Sequence, residues 1–172
     1  MSVGSFYHRF HNKEELLNVA TEDVYRAISE EFGKLSYRRK DNHDLFSLFY
    51  LLSRTGRECV LKHRGIYRAT TEVANSRLHK LGAVTKLVPE IIQQVENAID
   101  SYSDQLQSGY DSERIKGAVQ VIGMPAMFSA LGLGPHFPTA RRAFSLLIAQ
   151  AACGVMGYTG QTDTPVIELP AS

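Results

Sequence analysis

Apolar side chains return every three or four residues along most of the chain, the spacing that lines one face of an α-helix. No stretch alternates at period two, as a half-buried strand would. The first run is Leu17, Ala20, Val24, Ile28, Phe32 and Leu35, with Glu14, Glu22, Asp23, Arg26, Glu30 and Glu31 on its other side. It predicts a helix from Asn12 to about Leu35. Asn12 is suited to cap it, and Glu15 three residues later makes a variant capping box. Residues 37–42 are polar and predict a loop, with Asp41 or Asn42 starting the next helix. Leu45, Leu48, Phe49, Leu52, Cys59 and Val60 carry that helix to about His63. Gly65 predicts a break, and Ile66, Ala69, Val73 and Leu78 a shorter helix after it.

Val84, Val88, Ile91, Val95, Ile99, Tyr102 and Leu106 make the most regular stripe. Pro89 falls inside it and predicts either a kink or a late helix start. After a turn at residues 108–112, a helix starting at Ser112 or Glu113 shows Ile115, Val119, Ile122, Ala126 and Ala130 on one face, kinked at Pro125. Residues 132–138 predict a loop. The last helix, from about Thr139 to Tyr158, is different: residues 143–157 are apolar on nearly every side and include Ala149, Ala151, Ala152, Gly154 and Gly157. A helix apolar all round has to be buried all round. In so small a chain that predicts a partner helix from a second subunit. The tail, residues 159–172, is polar with Pro165 and Pro170 and is expected to be extended or disordered. The expected fold class is all-α.

At 172 residues the chain can bury a core without disulfides or structural metal. Its net charge of +1 offers no global attraction for nucleic acid, so any such contact has to come from a local patch. Two cysteines, Cys59 and Cys153, are too few and too far apart for a disulfide framework or a zinc site, and fit small buried side chains in a reducing cytosol. The first residues lack the basic and apolar regions of a signal peptide, and residues 143–158 fall short of the about 20 that a membrane span needs. A cytoplasmic protein without membrane contact is expected. His8 and His11 have no carboxylate or thiol cluster around them, and Gly132-Leu133-Gly134 follows no strand. No nucleophile elbow, paired-carboxylate site or His-Glu helix motif occurs. No enzyme, catalytic residue, metal or cofactor is therefore expected. Arg38-Arg39-Lys40 and Arg141-Arg142 fit solvated faces.

One motif is more specific. The run from Ser2 to Leu17 resembles the recognition helix and following helix start of the TetR family of transcriptional regulators, matching at Ser2, Gly4, Tyr7, Phe10, Lys13, Leu16 and Leu17. Arg9 stands where the family commonly has histidine, with His8 one place earlier. A short helix with Ser2, Ser5, His8 and Arg9 on one side offers donors to groove edges and phosphates, while Phe6 and Phe10 anchor its other side. The resemblance implies that Tyr7 and Lys13 hold phosphates, Lys13 at the amide-rich start of its helix. Ser2, Gly4, Ser5 and His8 would face bases, Gly4 by letting the backbone approach closely.

The resemblance also implies that residues 1–11 are the second half of a helix-turn-helix. Without its supporting helix, this chain alone is expected to bind operator DNA weakly or not at all. Residues 12–158 would be a helical ligand-binding and dimerisation domain. A mostly apolar pocket between its middle helices is expected to draw on Phe46, Phe49, Tyr50, Tyr67, Met124, Met127 and Phe128. The implied function is a ligand-responsive TetR-type regulator, expected to repress. It would be homodimeric through its last two helices, with operator DNA as the full-length protein's partner and a small molecule as effector. The alternative is a DNA-independent helical dimer that binds a small apolar ligand or a partner protein.

Overall fold

Helices form where the apolar stripes predict them. The computed structural model describes residues 10–36, 43–74, 82–106, 111–131, 140–163 and 165. Among these lie α1 (Lys13–Ser36), α2 (Leu45–Lys62), α3 (Arg64–Ala74), α4 (Gly82–Asp100), α5 (Ser112–Leu131) and α6 (Arg141–Met156), with a 3-10 turn at Ser103–Gln105. The described residues contain no named strand, so the fold is all-α. Leu78 and the side chains of Val73, Val84 and Ala130 lie outside the described residues, as do residues 132–138.

The helix ends are set by a few polar side chains. Asn12 Oδ1 accepts the Glu15 N–H at 2.8 Å, as the capping pattern predicts. The Glu15 carboxylate, however, accepts the His11 N–H at 2.6 Å and not that of Asn12, so the box closes one residue early. That hydrogen bond holds the Glu15 carboxyl below its ordinary range. The cap of α2 is Asp44, whose Oδ1 accepts the Ser47 N–H at 2.7 Å. It replaces the expected start at Asp41 or Asn42, which lie outside the described residues. The break after α2 falls at His63, and Gly65 sits inside α3. A glycine within a helix costs only about 1 kcal/mol, too little to end one by itself.

Pro89 and Pro125 are both carried within continuous helices. Pro89 is preceded by seven residues of α4, which corrects the idea of a late start there. A helical proline forfeits one backbone hydrogen bond, a loss that tertiary packing along the rest of a helix can outweigh. Pro125 sits similarly within α5, which Asp111 caps by accepting the Arg114 N–H at 2.8 Å. Helix α4 stops at Asp100, short of the full stripe, yet Tyr102 remains buried because the chain turns back there. Helix α6 ends on Gly157 at φ 68°, with Tyr158 N–H donating to the Cys153 carbonyl and Gly157 N–H to that of Gly154. This is a Schellman closure, which favours glycine at the left-handed position.

The central element is α2, packed by α1, α3, α5 and α6. Residues 45–50 are all buried, and Phe46, Phe49 and Leu52 meet Val24, Ile28, Ile99, Ile115 and Phe144 in one core. Helix α1 lies mainly along α4, and α5 pairs with α6. The start of α2 is held by two distant groups: Leu45 N–H donates to Gln105 Oε1 at 2.8 Å, and Tyr158 Oη donates to Asp44 Oδ2 at 3.2 Å. The described part of the tail turns back on α6, with Gln150 Nε2 donating to the Thr162 carbonyl at 3.0 Å. Among the described residues no helix is long and apolar enough to cross a membrane.

Candidate functional site

A cavity of about 210 Å³ opens where α1 to α5 converge. Helix α1 contributes Tyr25, Ile28 and Phe32, and α4 contributes Val88, Ile91 and Val95, each set one helical turn apart on a single face. Helix α2 adds Gly56 and Val60, and α3 adds Tyr67. The last wall is α5, with Val119, Gln120, Ile122, Gly123, Met124, Ala126 and Met127. The space exists partly because Gly56 brings no side chain to a point where a Cβ would lie 3.5 Å from Phe32 Cζ, an ordinary contact.

The wall is almost wholly apolar. The lining residues that carry a polar group are Tyr25, Tyr67 and Gln120, and no charged side chain lines it among the described residues. The rings of Tyr25 and Tyr67 meet edge to face, centroids 6.4 Å apart at 63°. Burial pushes both phenols above their ordinary range, Tyr67 further because Tyr25 and Cys59 add to it. Both therefore stay protonated, able to donate as well as accept.

Of the side chains expected in a pocket, Tyr67, Met124 and Met127 line this cavity. Phe46, Phe49 and Tyr50 do not, because they belong to the first half of α2, where large side chains fill the core completely. The cavity touches α2 only in its second half, at Gly56 and Val60. Phe128 is turned outward, 37% exposed, and lies outside the lining. The contributors missed from sequence, Tyr25, Ile28, Phe32 and the three α4 residues, belong to stripes that look like ordinary core. Gly56 was the available signal, a glycine inside a helix pattern where a side chain would otherwise fill space. Ser2, Gly4, Ser5, Tyr7 and His8 lie outside the described residues. Lys13 is the exposed first residue of α1, just past the Asn12 cap.

A second feature is an uncovered apolar face. Among the described residues five large apolar side chains are exposed, and four of them sit on the last two helices: Met124 and Phe128 on α5, Leu147 and Val155 on α6, each 36–45% exposed. Ala143, Ala151 and Gly154 are exposed beside them on α6. Helix α6, expected to be buried all round, is buried by its own chain on one side only, through Phe144, Ile148, Ala152 and Met156. Its start is tied to α2 by Glu58, which pairs with Arg54 at 2.9 Å and with Arg141, while the Arg57 guanidinium lies 5.1 Å from the Phe144 ring centroid. Arg141 is thus ion-paired and not simply solvated. No group of three or more His, Cys, Asp or Glu among the described residues could hold a metal ion. Both cysteines are free thiols, Cys153 buried and Cys59 half-buried. No family model matches the chain, and no significant match was found among the curated proteins or the solved structures.

Proposed function

We propose that this chain is the sensing and dimerising part of a ligand-responsive transcriptional repressor of the TetR type, working in the cytoplasm as a homodimer without catalytic activity. The observation that carries the proposal is that one helical bundle combines an apolar cavity with an apolar face concentrated on its last two helices. The face suits a second copy, because a two-fold axis lets the same small-residue surface meet itself. The cavity suits an effector, being concave and almost wholly apolar.

The mechanical link is α1. Its middle lines the cavity through Tyr25, Ile28 and Phe32, and its first residue, Lys13, continues the segment whose pattern resembles a DNA-reading helix. A ligand that prefers one placement of α1 shifts the population of DNA-competent dimers by its differential affinity for the two states. Helix α5 forms the opposite wall and also carries part of the exposed face, so the same ligand is felt at the dimer contact.

Chromatin immunoprecipitation in the native host, followed by footprinting, tests this. The expected result is discrete inverted-repeat sites with half-sites about one helical turn of DNA, or a multiple of it, apart. A genome-wide profile with no enriched site would remove the regulator and leave a DNA-independent dimer.

A further inference from the structure

We propose that the cavity selects an uncharged, two-ring-sized apolar molecule and rejects anions and cations of the same shape. This rests on the reading of the cavity as the sensing site and narrows it to a ligand class.

Size gives the first limit. A dry apolar cavity of roughly 150 Å³ accepts benzene, whereas drug-sized ligands occupy pockets of about 300–1,000 Å³. At about 210 Å³ this cavity lies between them and suits a fused bicycle of roughly ten ring atoms. Met124 and Met127 on the α5 wall let the site adapt to ring shape without changing its polarity.

Charge gives the second limit. An ion entering the cavity gives up hydration, and the described wall, almost wholly apolar, returns next to nothing for it. The burial that keeps Tyr25 and Tyr67 protonated acts equally against a bound carboxylate. A cation could draw on the aromatic faces of Tyr25, Phe32 and Tyr67. The two tyrosines, however, meet edge to face with centroids 6.4 Å apart, so the edge of one already occupies a face of the other, and the described lining holds no carboxylate to balance the charge. A neutral molecule loses least on entry.

Titration calorimetry at pH 7 with 2-naphthol, 2-naphthoate and 1-methylquinolinium compares neutral, anionic and cationic probes of similar shape. The expected result is one 2-naphthol per chain, with a Kd at least tenfold below that of either ion. The bulkier neutral 1-pyrenemethanol is expected to bind at least tenfold more weakly than 2-naphthol. Gly56→Leu fills the cavity from α2 and Val119→Phe fills it from α5, so a failure of one to fold leaves the other. Each is expected to weaken 2-naphthol binding more than tenfold while circular dichroism keeps its helical signal. An ion that binds as tightly as 2-naphthol, and is lost in these variants, overturns the charge selection yet leaves the cavity as the sensing site. Equal binding of 1-pyrenemethanol overturns the size limit. Absence of 2-naphthol binding overturns the ligand class, with the regulator itself still judged by the promoter sites. Binding indifferent to both substitutions removes the cavity as the site.

Discussion

Helices α2 and α6 are both apolar over long stretches and meet opposite fates. The first six residues of α2 are buried on every side, because α1, α3, α5 and α6 all pack on that helix. Helix α6 lies at the edge of the bundle, packs mainly on α2 and α5, and leaves Ala143, Leu147, Ala151, Gly154 and Val155 exposed. Composition dictates how much apolar surface a helix would bury, but the number of its neighbours decides how much the chain itself can cover. The side chains differ accordingly. Helix α2 fills its surroundings with Leu45, Phe46, Phe49 and Leu52, whereas the open side of α6 is mostly small, giving a surface that another helix can approach closely.

The comparison breaks most visibly at matched truncations. Phe49→Ala, in the middle of the enclosed part of α2, is expected to cost about 3–5 kcal/mol in urea unfolding. Leu147→Ala, on the open side of α6, is expected to stay within about 0.5 kcal/mol when unfolding is followed at submicromolar concentration. A large, concentration-independent loss at Leu147 would mean that this face is covered within one chain. The second-largest effect is on assembly. In sedimentation equilibrium the wild-type chain is expected to dimerise, and Leu147→Glu to weaken the dimer about 100-fold, or about 2.7 kcal/mol, with helical content unchanged. A wild-type chain that stays monomeric at tens of micromolar removes the second copy as the occupant of that face.

The two helices also explain what the sequence disclosed. Periodicity located α1, α2, α4 and α5 with their buried stripes, because a helix face is a local property of spacing, and it located α6 without showing which side its own chain would cover. It placed α2 two or more residues early, since Asp41, Asn42 and Asp44 all have capping chemistry and only the folded chain selects Asp44. The cavity was harder to see. Tyr67, Met124 and Met127 were identifiable as soft or amphipathic side chains, but Ile28, Ile91 and Val95 look the same whether they face a neighbour or an empty space. A void depends on what several helices together fail to fill, and that information is not local. Phe46 and Phe49 were misplaced for the same reason, since a large aromatic fills space more readily than it lines a gap. The continuity of α4 through Pro89 and of α5 through Pro125 likewise depends on packing along the whole helix.

The helix ends carry the smaller effects. Gly157 closes α6 at φ 68°, and a Cβ there would meet Arg114 Nη1 at an ordinary 3.6 Å, so the cost of Gly157→Ala is conformational, about 1 kcal/mol. His63, which closes α2, sits at φ −108° and needs no such freedom, so His63→Ala is expected to change stability by less than about 0.5 kcal/mol in the same urea titration. Equal costs at the two ends would show that the Schellman closure contributes nothing.

The finest test lies where the two helices are joined, at the hydrogen bond from Tyr158 to Asp44. The Tyr158 phenol is pushed up to about 12 from an ordinary 10.0, by burial first and then by the Asp44 carboxylate, both of which disfavour the phenolate. A folded-state value above the unfolded one means that the folded chain holds its proton longer. The stabilisation is therefore fully present below pH 10 and is lost as pH rises through about 12. Tyr158→Phe is expected to lower stability by about 0.5–1 kcal/mol at neutral pH, the ordinary net worth of one partly exposed hydrogen bond. The gap between the two proteins should hold constant to about pH 10 and narrow across the window up to 12. Cys153, also pushed up to about 12 by its burial, is present in both proteins, and its thiolate adds to the charges that disfavour the Tyr158 phenolate. A gap that stays constant across that window would mean that Tyr158 titrates alike in the folded and unfolded chains. The link between the end of α6 and the start of α2 would then be packing alone.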